Sequence, residues 1–586
     1  MSAGVDGAIR EPVLGDRFAI RIRRGGLLST ATYFNTFFET HWRRHTALGP
    51  LRLRVEAAGA GTIRLVRRRP GCADEVLDAL DFRSRSVVLS LAVPEPWCHP
   101  REAGRLHFEI AVRSASVRVS HAEWVVEGEP PPPVRLAVGI CTLDRPAEAL
   151  RAVEALLADP AVAGAIERVI VVDQGTRPIR HDPAFAGASA RAAGKFRIVE
   201  QANLGGAGGF TRAILEADRS GAATHMLLMD DDAVAEPESV FRACAFLGLA
   251  LGDTAVGAPM LDAFRPLELH EAGATVRTDR LCSETATRLR VDCEAGLAAL
   301  AEPIPAHYCG WWFFAFRLGL IEKVGLPLPL FLRGDDAEFG YRLFRAGIPP
   351  VTLPGLGVWH EPFVLRTGGW QAYYDFRNML VLAAVHGELS GWRVAAVFLR
   401  RFGHRLLRFD YREAAHLCAG VADFCRGASL ISGEPGATHH GVLARHSSYP
   451  LGRIARSAAL PALASQKPWP RYLQPLILAL GAVRQTLLLS PRSDAAPTAI
   501  AAPNAVVWAD VVAIDGGDPD FYEIRRRSRS HFLRLLGRGL WQALRLALRS
   551  RRPRRAWREA GPRLMSKTFW HRYLGMDADD AERRAA

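Results

Sequence analysis

Residues 134–175 have the sequence VRLAVGICTLDRPAEALRAVEALLADPAVAGAIERVIVVDQG, and this stretch decides the predicted fold. Arg135–Cys141 is a short apolar run typical of a buried strand. Pro146–Leu157 has the apolar spacing of an amphipathic helix, with proline in its first turn. Val169–Val172 is a second strand-like run. A strand, a helix and a strand in this order predict a parallel βαβ unit.

The alternation of strands and helices continues along the chain. Arg197–Glu200 and His225–Met229 are predicted strands, and Gly209–Ala217 opens a helix between them. The pattern predicts an α/β domain with a doubly wound, mostly parallel sheet, assigned to residues 134–385. Such sheets bind ligands at the carboxyl ends of their strands, so the polar residues directly after each strand are the candidates for chemistry.

Two regions of different character flank this domain. Residues 1–130 predict a β-rich domain, a sandwich or a barrel, that ends at the stiff run Pro130–Pro133. Its five predicted strands are Arg17–Arg23, Thr62–Val66, Ser86–Val93, Arg105–Val112 and Ser116–Val126. Residues 386–586 predict a helical domain, in which the apolar segment 473–483 is too short to span a bilayer and is expected to be a buried helix.

Composition excludes several classes of protein. The chain has 586 residues, of which 49% are hydrophobic and 23% charged, as in soluble globular proteins rather than disordered ones. Uncharged apolar runs of membrane-spanning length are missing, which excludes a multi-spanning membrane protein, and Met1–Arg24 has no apolar core, so no secretory signal is expected. The nine cysteines form no CxxC pair, which argues against a zinc ribbon.

Positive charge is concentrated near the C-terminus. The net charge is +14, and residues 525–572 hold sixteen Arg or Lys and one acid, Glu559, a local charge of +15. Phe532–Leu548 alternates Leu with Arg at helical spacing, which suits an anionic membrane surface. A solvated helical face or an oligomer contact explains the same pattern. Nucleic acid is not an expected partner, because the stretch has no motif that reads bases.

An acidic triplet follows the strand His225–Met229. Asp230 and Asp232 point the same way if the strand continues, because side chains on a strand repeat with a period of two. Two carboxylates on one face can hold Mg²⁺ or Mn²⁺, which prefer oxygen ligands. An acidic surface turn is the plainer interpretation of the triplet alone. Its position at the end of a core strand favours a metal site.

A glycine-rich loop, QANLGGAGG at 201–209, follows the third strand. It matches neither the phosphate-binding pattern G-x-x-x-x-G-K-[ST] nor G-x-G-x-x-G, which argues against an NTPase and a nucleotide oxidoreductase. Its glycines allow a diphosphate or a sugar to approach the backbone closely at a helix start. A tight turn between strand and helix explains the glycines equally well.

A second acidic pair and a late histidine are further candidates. Asp335 and Asp336 stand before a helix predicted over Ala337–Ala346, where a carboxylate either caps the helix or acts as a general base. His360 follows a short strand-like run and could be a third metal ligand, although a lone histidine is usually structural. Trp311 and Trp312 either stack on sugar C–H surfaces or pack in the core.

Taken together, these motifs resemble the nucleotide-sugar glycosyltransferases of the GT-A fold. Within that fold they resemble the polymerising galactofuranosyltransferases that build mycobacterial cell-wall galactan. The resemblance covers nearly the whole chain and rests on TYFNTF at 32–37, VVDQG at 171–175, QANLGGAGGFTR at 201–212, LLMDDDAVAEPES at 227–239 and RGDDAEFGYR at 333–342. One departure lies in the first loop, where Leu143–Asp144 replaces the Phe-Asn of the family.

The resemblance implies roles for the donor side of the site. Contacts to a UDP-sugar donor are implied for Arg145, Gln174 and Asn203. Asp230 and Asp232 would hold Mn²⁺ or Mg²⁺ and the donor diphosphate, with His360 as a further ligand. The implied donor is UDP-galactofuranose.

The resemblance also implies the acceptor side and the setting of the enzyme. Asp336 would be the catalytic base of an inverting transfer, and Asp335 with Trp311 and Trp312 would shape the acceptor site. The acceptor would be a growing lipid-linked galactan, which implies a peripheral protein at the cytoplasmic face of the cell membrane. A homo-oligomer is expected. The alternatives are another nucleotide sugar, for example in a rhamnosyl- or other hexosyltransferase, and a non-catalytic, membrane-associated glycan-binding scaffold.

Overall fold

A computed structural model gives the structure of the protein. It describes residues 8–13, 17–94, 102–285, 288–362, 369–387, 389–433, 439–441, 443, 452–455, 473–487, 495–498, 510–514 and 520–576. Every candidate site residue lies within these ranges.

The N-terminal region is an antiparallel β-structure with one short helix, α1 (Glu39–His45). Its strands are β1 (Ala8–Val13), β2 (Arg17–Arg23), β3 (Leu27–Ser29), β4 (Leu51–Arg68), β5 (Glu75–Ala92), β6 (Arg105–Val112) and β7 (Ser116–Val126). They form one seven-stranded sheet in the order β1-β2-β7-β4-β6-β3, with β5 paired to β4. Strands β2, β6 and β7 have the predicted bounds. Strands β4 and β5 are longer than the runs Thr62–Val66 and Ser86–Val93 that predicted them. A sandwich or barrel stays a prediction.

The middle of the chain alternates strands and helices, as its sequence pattern predicts. Its strands are β8 (Leu136–Thr142), β9 (Ile166–Asp173), β10 (Phe196–Glu200), β11 (His225–Asp230), β12 (Val234–Ala235), β13 (Ala255–Gly257), β14 (Met260–Asp262), β15 (Glu268–Glu271), β16 (Ala274–Arg277), β17 (Cys282–Thr285), β18 (Leu289–Arg290), β19 (Phe314–Arg317), β20 (Val351–Thr352) and β21 (Val358–His360). Its helices are α2 (Pro146–Ala158), α3 (Pro160–Ala165), α4 (Phe185–Arg191), α5 (Gly205–Ser220), α6 (Pro237–Gly248), α7 (Glu294–Ala301), α8 (Leu320–Val324) and α9 (Asp335–Arg345).

A seven-stranded sheet in the order β10-β9-β8-β11-β19-β13-β20 forms the centre of this region. Strands β10, β9, β8 and β11 run parallel, and β19 is antiparallel to both of its neighbours. Alternate side chains of β8 enter two separate apolar cores: Val138 packs with α2 on one face of the sheet, and Ala137 packs with α5 on the other. The mostly parallel, doubly wound sheet is therefore confirmed.

A smaller sheet lies beside the central one, in the order β12-β21-β14-β15-β18. Strand β12 follows the acidic triplet directly and pairs with β21, so that Val234 lies opposite Trp359. This pairing places His360, which is distant in sequence, near the end of β11. A separate hairpin is formed by β16 and β17.

The C-terminal region is mainly helical, with a small sheet that the sequence pattern did not predict. Its helices are α10 (Gln371–Val385), α11 (Gly391–Leu407), α12 (Tyr411–Arg426), α13 (Ser429–Gly433), α14 (Gln474–Thr486), α15 (Arg529–Arg549), α16 (Arg551–Leu564) and α17 (Lys567–Tyr573). The strands β22 (Gly452–Ala455), β23 (Ala495–Thr498), β24 (Val511–Ile514) and β25 (Phe521–Arg526) form a four-stranded sheet in the order β22-β25-β24-β23. Each of these strands has only four to six residues, which leaves room for little alternation of apolar and polar side chains.

The helical region shares its apolar core with the α/β region. Leu328 and Leu330, which precede α9, are buried in one cluster with Phe376 of α10 and Phe398 of α11. Because α10 belongs to this cluster, the helical packing begins before residue 386. The domain boundaries at residues 130 and 385 stay predictions.

The apolar segment 473–483 differs from its prediction. It lies in a helix, α14, but Leu476, Leu480 and Val483 are exposed rather than buried. In the part of the chain that the structure describes, every helix is too short or too polar to cross a membrane.

Candidate active site

The carboxyl ends of β8 and β11 meet at the point where the strand order reverses. Strands β9 and β10 lie to one side of β8, and β11 lies to the other. Such a reversal opens a crevice at the edge of an α/β sheet, and ligands bind there. Arg145 follows β8, and the acidic triplet begins at Asp230, the last residue of β11, so both segments border this crevice.

The three carboxylates of the triplet have different partners. The Thr142 hydroxyl donates a hydrogen bond to Asp231 Oδ2 at 2.6 Å, which turns Asp231 towards β8. Asp230 and Asp232 instead face His360, whose Nε2 lies 3.6 Å from Asp230 Oδ2 and 2.9 Å from Asp232 Oδ1. Burial, more than any other cause, raises the pKa of Asp231 to about 7. Two of the three side chains thus converge on one point.

The convergence of Asp230, Asp232 and His360 has the chemistry of a divalent-cation site. One ligand atom from each of the three residues lies within 4.8 Å of the others. His360 Nδ1 is 2.7 Å from the Glu361 carbonyl oxygen, so we place the ring proton on Nδ1. The Nε2 lone pair then faces two carboxylates. Two oxygen ligands and one imidazole suit Mn²⁺ or Mg²⁺, and the three residues therefore fit such an ion.

Arg145 lies across the crevice from His360. Its guanidinium forms an ion pair with Asp232 and lies 3.9 Å from Asp231 Oδ1. The Arg145 side chain is 42% exposed. An arginine in this position can exchange a carboxylate partner for an incoming phosphate, because both groups match its planar donors.

The glycine-rich loop starts a helix four residues earlier than predicted, at Gly205. Gln174, which is 5% exposed, holds this loop: its Nε2 donates to the Gly205 carbonyl at 3.0 Å, and its Oε1 accepts from the Leu204 amide at 2.7 Å. The Asn203 side chain also accepts from the Gly205 amide, at 3.0 Å. In this structure, Gln174 and Asn203 fix the backbone of the loop.

Asp144 connects two loops on the β9 side of the crevice. Its Oδ1 accepts hydrogen bonds from the backbone amides of Thr176 and Arg177 at 2.6 and 2.9 Å. These bonds join the loop after β8 to the loop after β9 and lower the pKa of Asp144. Asp144 therefore has a specific set of partners in this chain.

Asp335 and Asp336 form the first turn of α9, rather than a turn before the helix as predicted. Asp335 is 6% exposed and lies against the glycine-rich loop, because a Cβ placed on Gly206 would be 3.2 Å from Asp335 Oδ2. Asp336 Oδ1 accepts from the Ala337 amide at 2.7 Å. Burial is the main cause that raises the pKa of Asp335 to about 8 and that of Asp336 to about 6. The charge of Asp336 adds to the shift of Asp335, and the charge of Asp230 adds to both shifts.

Both tryptophans are core residues that also line a cavity of about 490 Å³ in front of Asp335 and Asp336. Trp312 Nε1 donates to the Ala258 carbonyl at 3.0 Å. Trp311 Nε1 is buried and has no hydrogen-bond partner among the described residues. A substrate hydroxyl in the cavity could satisfy that donor. Both tryptophans therefore pack in the core and border the cavity, and contact with a substrate stays a prediction.

A strained loop positions the acidic pair. Phe331, Arg333 and Gly334 have φ angles of 72°, 60° and 80°, and the first two are side-chain-bearing residues that rarely adopt such values. The Phe331 carbonyl accepts from the Ala207 amide of the glycine-rich loop at 3.3 Å. One side of the loop is thus tied to the glycine-rich loop at the edge of the crevice.

Helix α10 holds the other side of this loop. Asn378 Nδ2 donates to the carbonyl oxygens of Leu332 and Arg333 at 2.9 and 2.5 Å. Arg377 Nη2 donates to the Leu330 carbonyl at 2.6 Å. Asn378 is 2% exposed, so these bonds are shielded from water. We infer that Asn378 is a positioning residue for Asp335 and Asp336.

The Asn378→Ala substitution is expected to lower kcat by about ten- to a hundredfold, because a small displacement of a catalytic group has effects of that size. The KM for the donor should change by less than about threefold. The matched control is Tyr374→Phe on the same helix, which removes a hydroxyl 3.3 Å from His440 Nδ1 and keeps the ring that packs against Phe331. Steady-state kinetics of both variants provide the measurement. Equal losses of kcat would contradict the positioning role.

Some cavity residues were weakly indicated by the sequence or not indicated at all. Glu271 lines the cavity, and burial, with a contribution from Asp336, raises its pKa to about 8. In the sequence, His270–Glu271 is a weaker candidate for lining the same cleft, and His270 is not among the cavity residues that the structure describes. Asp375 and Arg401 line the cavity from α10 and α11, far along the chain, and no local pattern marks either of them.

Comparison with known proteins gives matches over nearly the whole chain. Residues 7–127 match the family model "Galactofuranosyltransferase 2 N-terminal", and residues 131–374 match "Glycosyltransferase like family 2". The chain is 31% identical to Galactofuranosyltransferase GlfT2 of Mycolicibacterium smegmatis, covering 95% of this chain and 90% of the relative. It is also 31% identical to GlfT2 of Mycobacterium tuberculosis, covering 95% and 92%.

The comparison with solved structures gives weaker likenesses. GalNAc-T7 with UDP, GalNAc and Mn²⁺ has a TM-score of 0.34 and 13% identity, covering 45% of this chain and 49% of that one. TarS 1–349 of S. aureus has a TM-score of 0.31 and 13% identity, covering 54% and 88%. Both TM-scores are too low to support an argument.

Proposed function

The chain belongs to the GlfT2 family of galactofuranosyltransferases, and from that premise we propose that it transfers galactofuranose from UDP-galactofuranose to a growing lipid-linked galactan with inversion at the anomeric carbon. The observation that carries the proposal is the convergence of Asp230, Asp232 and His360 within 4.8 Å at the sheet edge. Asp336 lies in the cavity that Asp230 also lines. A donor site and a base therefore share one space.

The donor side of the proposal rests on the crevice between β8 and β11. Asp230, Asp232 and His360 would hold Mn²⁺ or Mg²⁺. A divalent ion bound there would neutralise the negative charge that gathers on the departing diphosphate. The positive end of the α5 helix dipole and the Arg145 guanidinium favour phosphate oxygens nearby.

The acceptor side rests on Asp336. We assign it the proton of the attacking sugar hydroxyl, because its carboxylate lines the cavity and one of its oxygens is already fixed by the Ala337 amide. A raised pKa makes this carboxylate a better proton acceptor than an ordinary aspartate, provided that it is ionised. Attack on the donor from the side opposite the leaving UDP inverts the anomeric centre. Trp311, Trp312 and Asp335 shape the space for the acceptor.

The direct test of this function is transfer itself. The protein, incubated with UDP-galactofuranose, Mn²⁺ and a synthetic lipid-linked galactofuranose acceptor, is expected to yield products that grow by whole galactofuranose units in mass spectra. A panel of other nucleotide sugars, including a rhamnose donor, provides the comparison. Preferential transfer from another donor would replace the sugar in this proposal, and binding without transfer would favour the glycan-binding scaffold.

The acceptor carries a lipid, so we also propose that the basic C-terminal region binds the anionic cytoplasmic face of the cell membrane. Helix α15 has no acidic residue. It exposes a row of apolar side chains spaced along one face: Leu533, Leu540, Trp541, Leu544 and Leu548. Arginines interleave with them at Arg534, Arg538, Arg545 and Arg549. Apolar and cationic side chains on one helix suit the boundary between headgroups and acyl chains.

A second copy of the chain is the other occupant considered for this face. Pairing two such faces would bring arginines of like charge together, which disfavours it as the main contact of a homo-oligomer. The homo-oligomer itself stays a prediction, and light scattering after size-exclusion chromatography measures it. A peripheral location stays part of the same proposal.

The Arg538→Glu substitution is expected to weaken binding to phosphatidylglycerol vesicles by about tenfold, because each basic residue near an anionic surface contributes about 1 kcal/mol. Co-sedimentation with vesicles provides the measurement. The matched control is Arg151→Glu, which reverses another exposed arginine, on α2, and is expected to leave vesicle binding nearly unchanged. Equal weakening in both variants would indicate a net-charge effect and not a membrane-binding face.

A further inference from the structure

The cavity in front of Asp336 extends beyond the α/β region into the C-terminal helices. Gly206 and Asp230, at the crevice, line one part of it. Asp375 of α10 and Arg401 of α11 line another part, together with Ser283 of the β16–β17 hairpin. A volume of about 490 Å³ is large enough for a ligand of several rings rather than for one sugar. The helical region therefore builds part of the site.

Neighbouring charges give the order of the residues along the cavity. Asp335 and Asp336 both interact with Asp230 on the donor side. Asp336 also interacts with Arg333, which forms an ion pair with Asp375. Asp375 in turn interacts with Arg401. These electrostatic neighbours run from the cation site through the acidic pair to α11, so we place Arg401 on the side of Asp336 away from Asp230.

The far end of the cavity has the polar groups that recognise a polyol. Arg401 Nη2 donates to the Arg280 carbonyl at 2.7 Å, and its guanidinium lies 5.7 Å from the centre of the Phe376 ring. These contacts hold the planar group at the cavity wall. A guanidinium presents several donors in a fixed fork, which suits two adjacent hydroxyl oxygens.

Charge in the cavity favours an uncharged ligand over an anion. Five acidic residues line it, namely Asp230, Glu271, Asp335, Asp336 and Asp375, against two arginines, Arg333 and Arg401. A phosphate placed beside the Asp375 carboxylate would meet like charge. Neutral sugar hydroxyls can accept from arginine and donate to carboxylates at the same time.

We propose that the Arg401 end of the cavity is a subsite for the second sugar unit of the acceptor, counted from the unit whose hydroxyl attacks. This inference rests on the proposed function, because it takes the acceptor to be an oligosaccharide. The attacking unit lies at Asp336, between the donor and α11. The next unit extends towards the hairpin and contacts Arg401, with Ser283 and Asp375 beside it. The C-terminal helices therefore contact the acceptor as well as packing against the α/β region.

The test compares acceptors with one, two and three galactofuranose units in the full-length protein and in Arg401→Ala. The wild type is expected to use the two-unit acceptor with a kcat/KM about ten- to a hundredfold above that for the one-unit acceptor, the range expected for a hydrogen bond to a charged group. Arg401→Ala should lose most of this preference, because its kcat/KM should fall much more on the two-unit acceptor than on the one-unit acceptor. The matched control is Arg400→Ala, an exposed arginine next to it on α11, which should keep the preference.

The outcomes separate a failure of the subsite from a failure of the proposed function. A fall in kcat/KM by the same factor on all acceptors, or an unchanged preference in Arg401→Ala, would overturn the subsite. Arg401→Lys keeps the charge and the aliphatic stem but loses the paired donors, so it tests the same contact if Arg401→Ala does not fold. Wild-type protein that transfers galactofuranose to none of the three acceptors would instead refute the proposed function.

Discussion

The Asp336→Asn substitution is expected to lower kcat by about two to four orders of magnitude, the usual contribution of a general base. An amide cannot accept the proton of the attacking hydroxyl, but it keeps the size of the side chain and can still accept from the Ala337 amide. The affinity for UDP with Mn²⁺ should change by less than about threefold. Transfer of radiolabelled galactofuranose measures kcat, and calorimetric titration measures UDP binding.

The same substitution has an expected effect on stability that separates loss of function from loss of fold. The pKa of Asp336 is raised in the folded protein, chiefly by burial, so the folded state binds the proton more tightly than the unfolded state. The ionised carboxylate therefore lowers stability as the pH rises above the usual pKa of an aspartate. Asp336→Asn should unfold at the same or a higher temperature than the wild type at pH 8 in the presence of EDTA, and the difference should shrink towards pH 4.

Asp335→Asn is the matched control for the assignment of the base. Asp335 is more buried than its neighbour and faces the glycine-rich loop, so its loss should disturb substrate placement and reduce kcat less than the loss of Asp336. A turnover above one tenth of the wild type in Asp336→Asn, or a larger loss in Asp335→Asn, would remove Asp336 from the role of base.

The second large effect is expected at the cation site. UDP and Mn²⁺ together should raise the unfolding temperature of the wild type, since a ligand that binds only the folded state at a hundredfold its Kd stabilises that state by about 2.7 kcal/mol. UDP alone should give a smaller rise. His360→Ala should abolish the additional rise caused by Mn²⁺, because one of the three converging ligands is lost. Differential scanning fluorimetry measures these shifts.

Asp231→Asn is the matched control for His360→Ala. Asp231 belongs to the same triplet, but its Oδ2 accepts from the Thr142 hydroxyl and it is not part of the converging group. The variant should keep the joint effect of UDP and Mn²⁺. Transfer activity should fall by more than about a hundredfold in His360→Ala, consistent with the loss of several kcal/mol of charge stabilisation. An Mn²⁺ effect that survives His360→Ala would exclude this cation site.

How much the sequence could predict depends on how local each feature is. The βαβ unit at 134–175 was predictable because apolar periodicity and a helix-starting proline act within a few residues, and β8 and α2 lie within one residue of their expected bounds. The start of α5 was misplaced by four residues, because its opening glycines are poor helix formers and the tertiary contact of Gly205 with Phe331 fixes that turn.

The sequence by itself determined the family, the mostly parallel sheet, and the residue types able to hold a cation and accept a proton, because these are carried by contiguous motifs. Only the tertiary structure decided which of them meet. The pairing of β12 with β21 brings His360 to Asp232, and Gln174 is engaged in holding the glycine-rich loop. The packing of α10 and α11 against the α/β region adds Asn378 and Arg401 to the site. The reason is physical: contacts between distant segments depend on strand pairing and core packing, which no short stretch of sequence specifies.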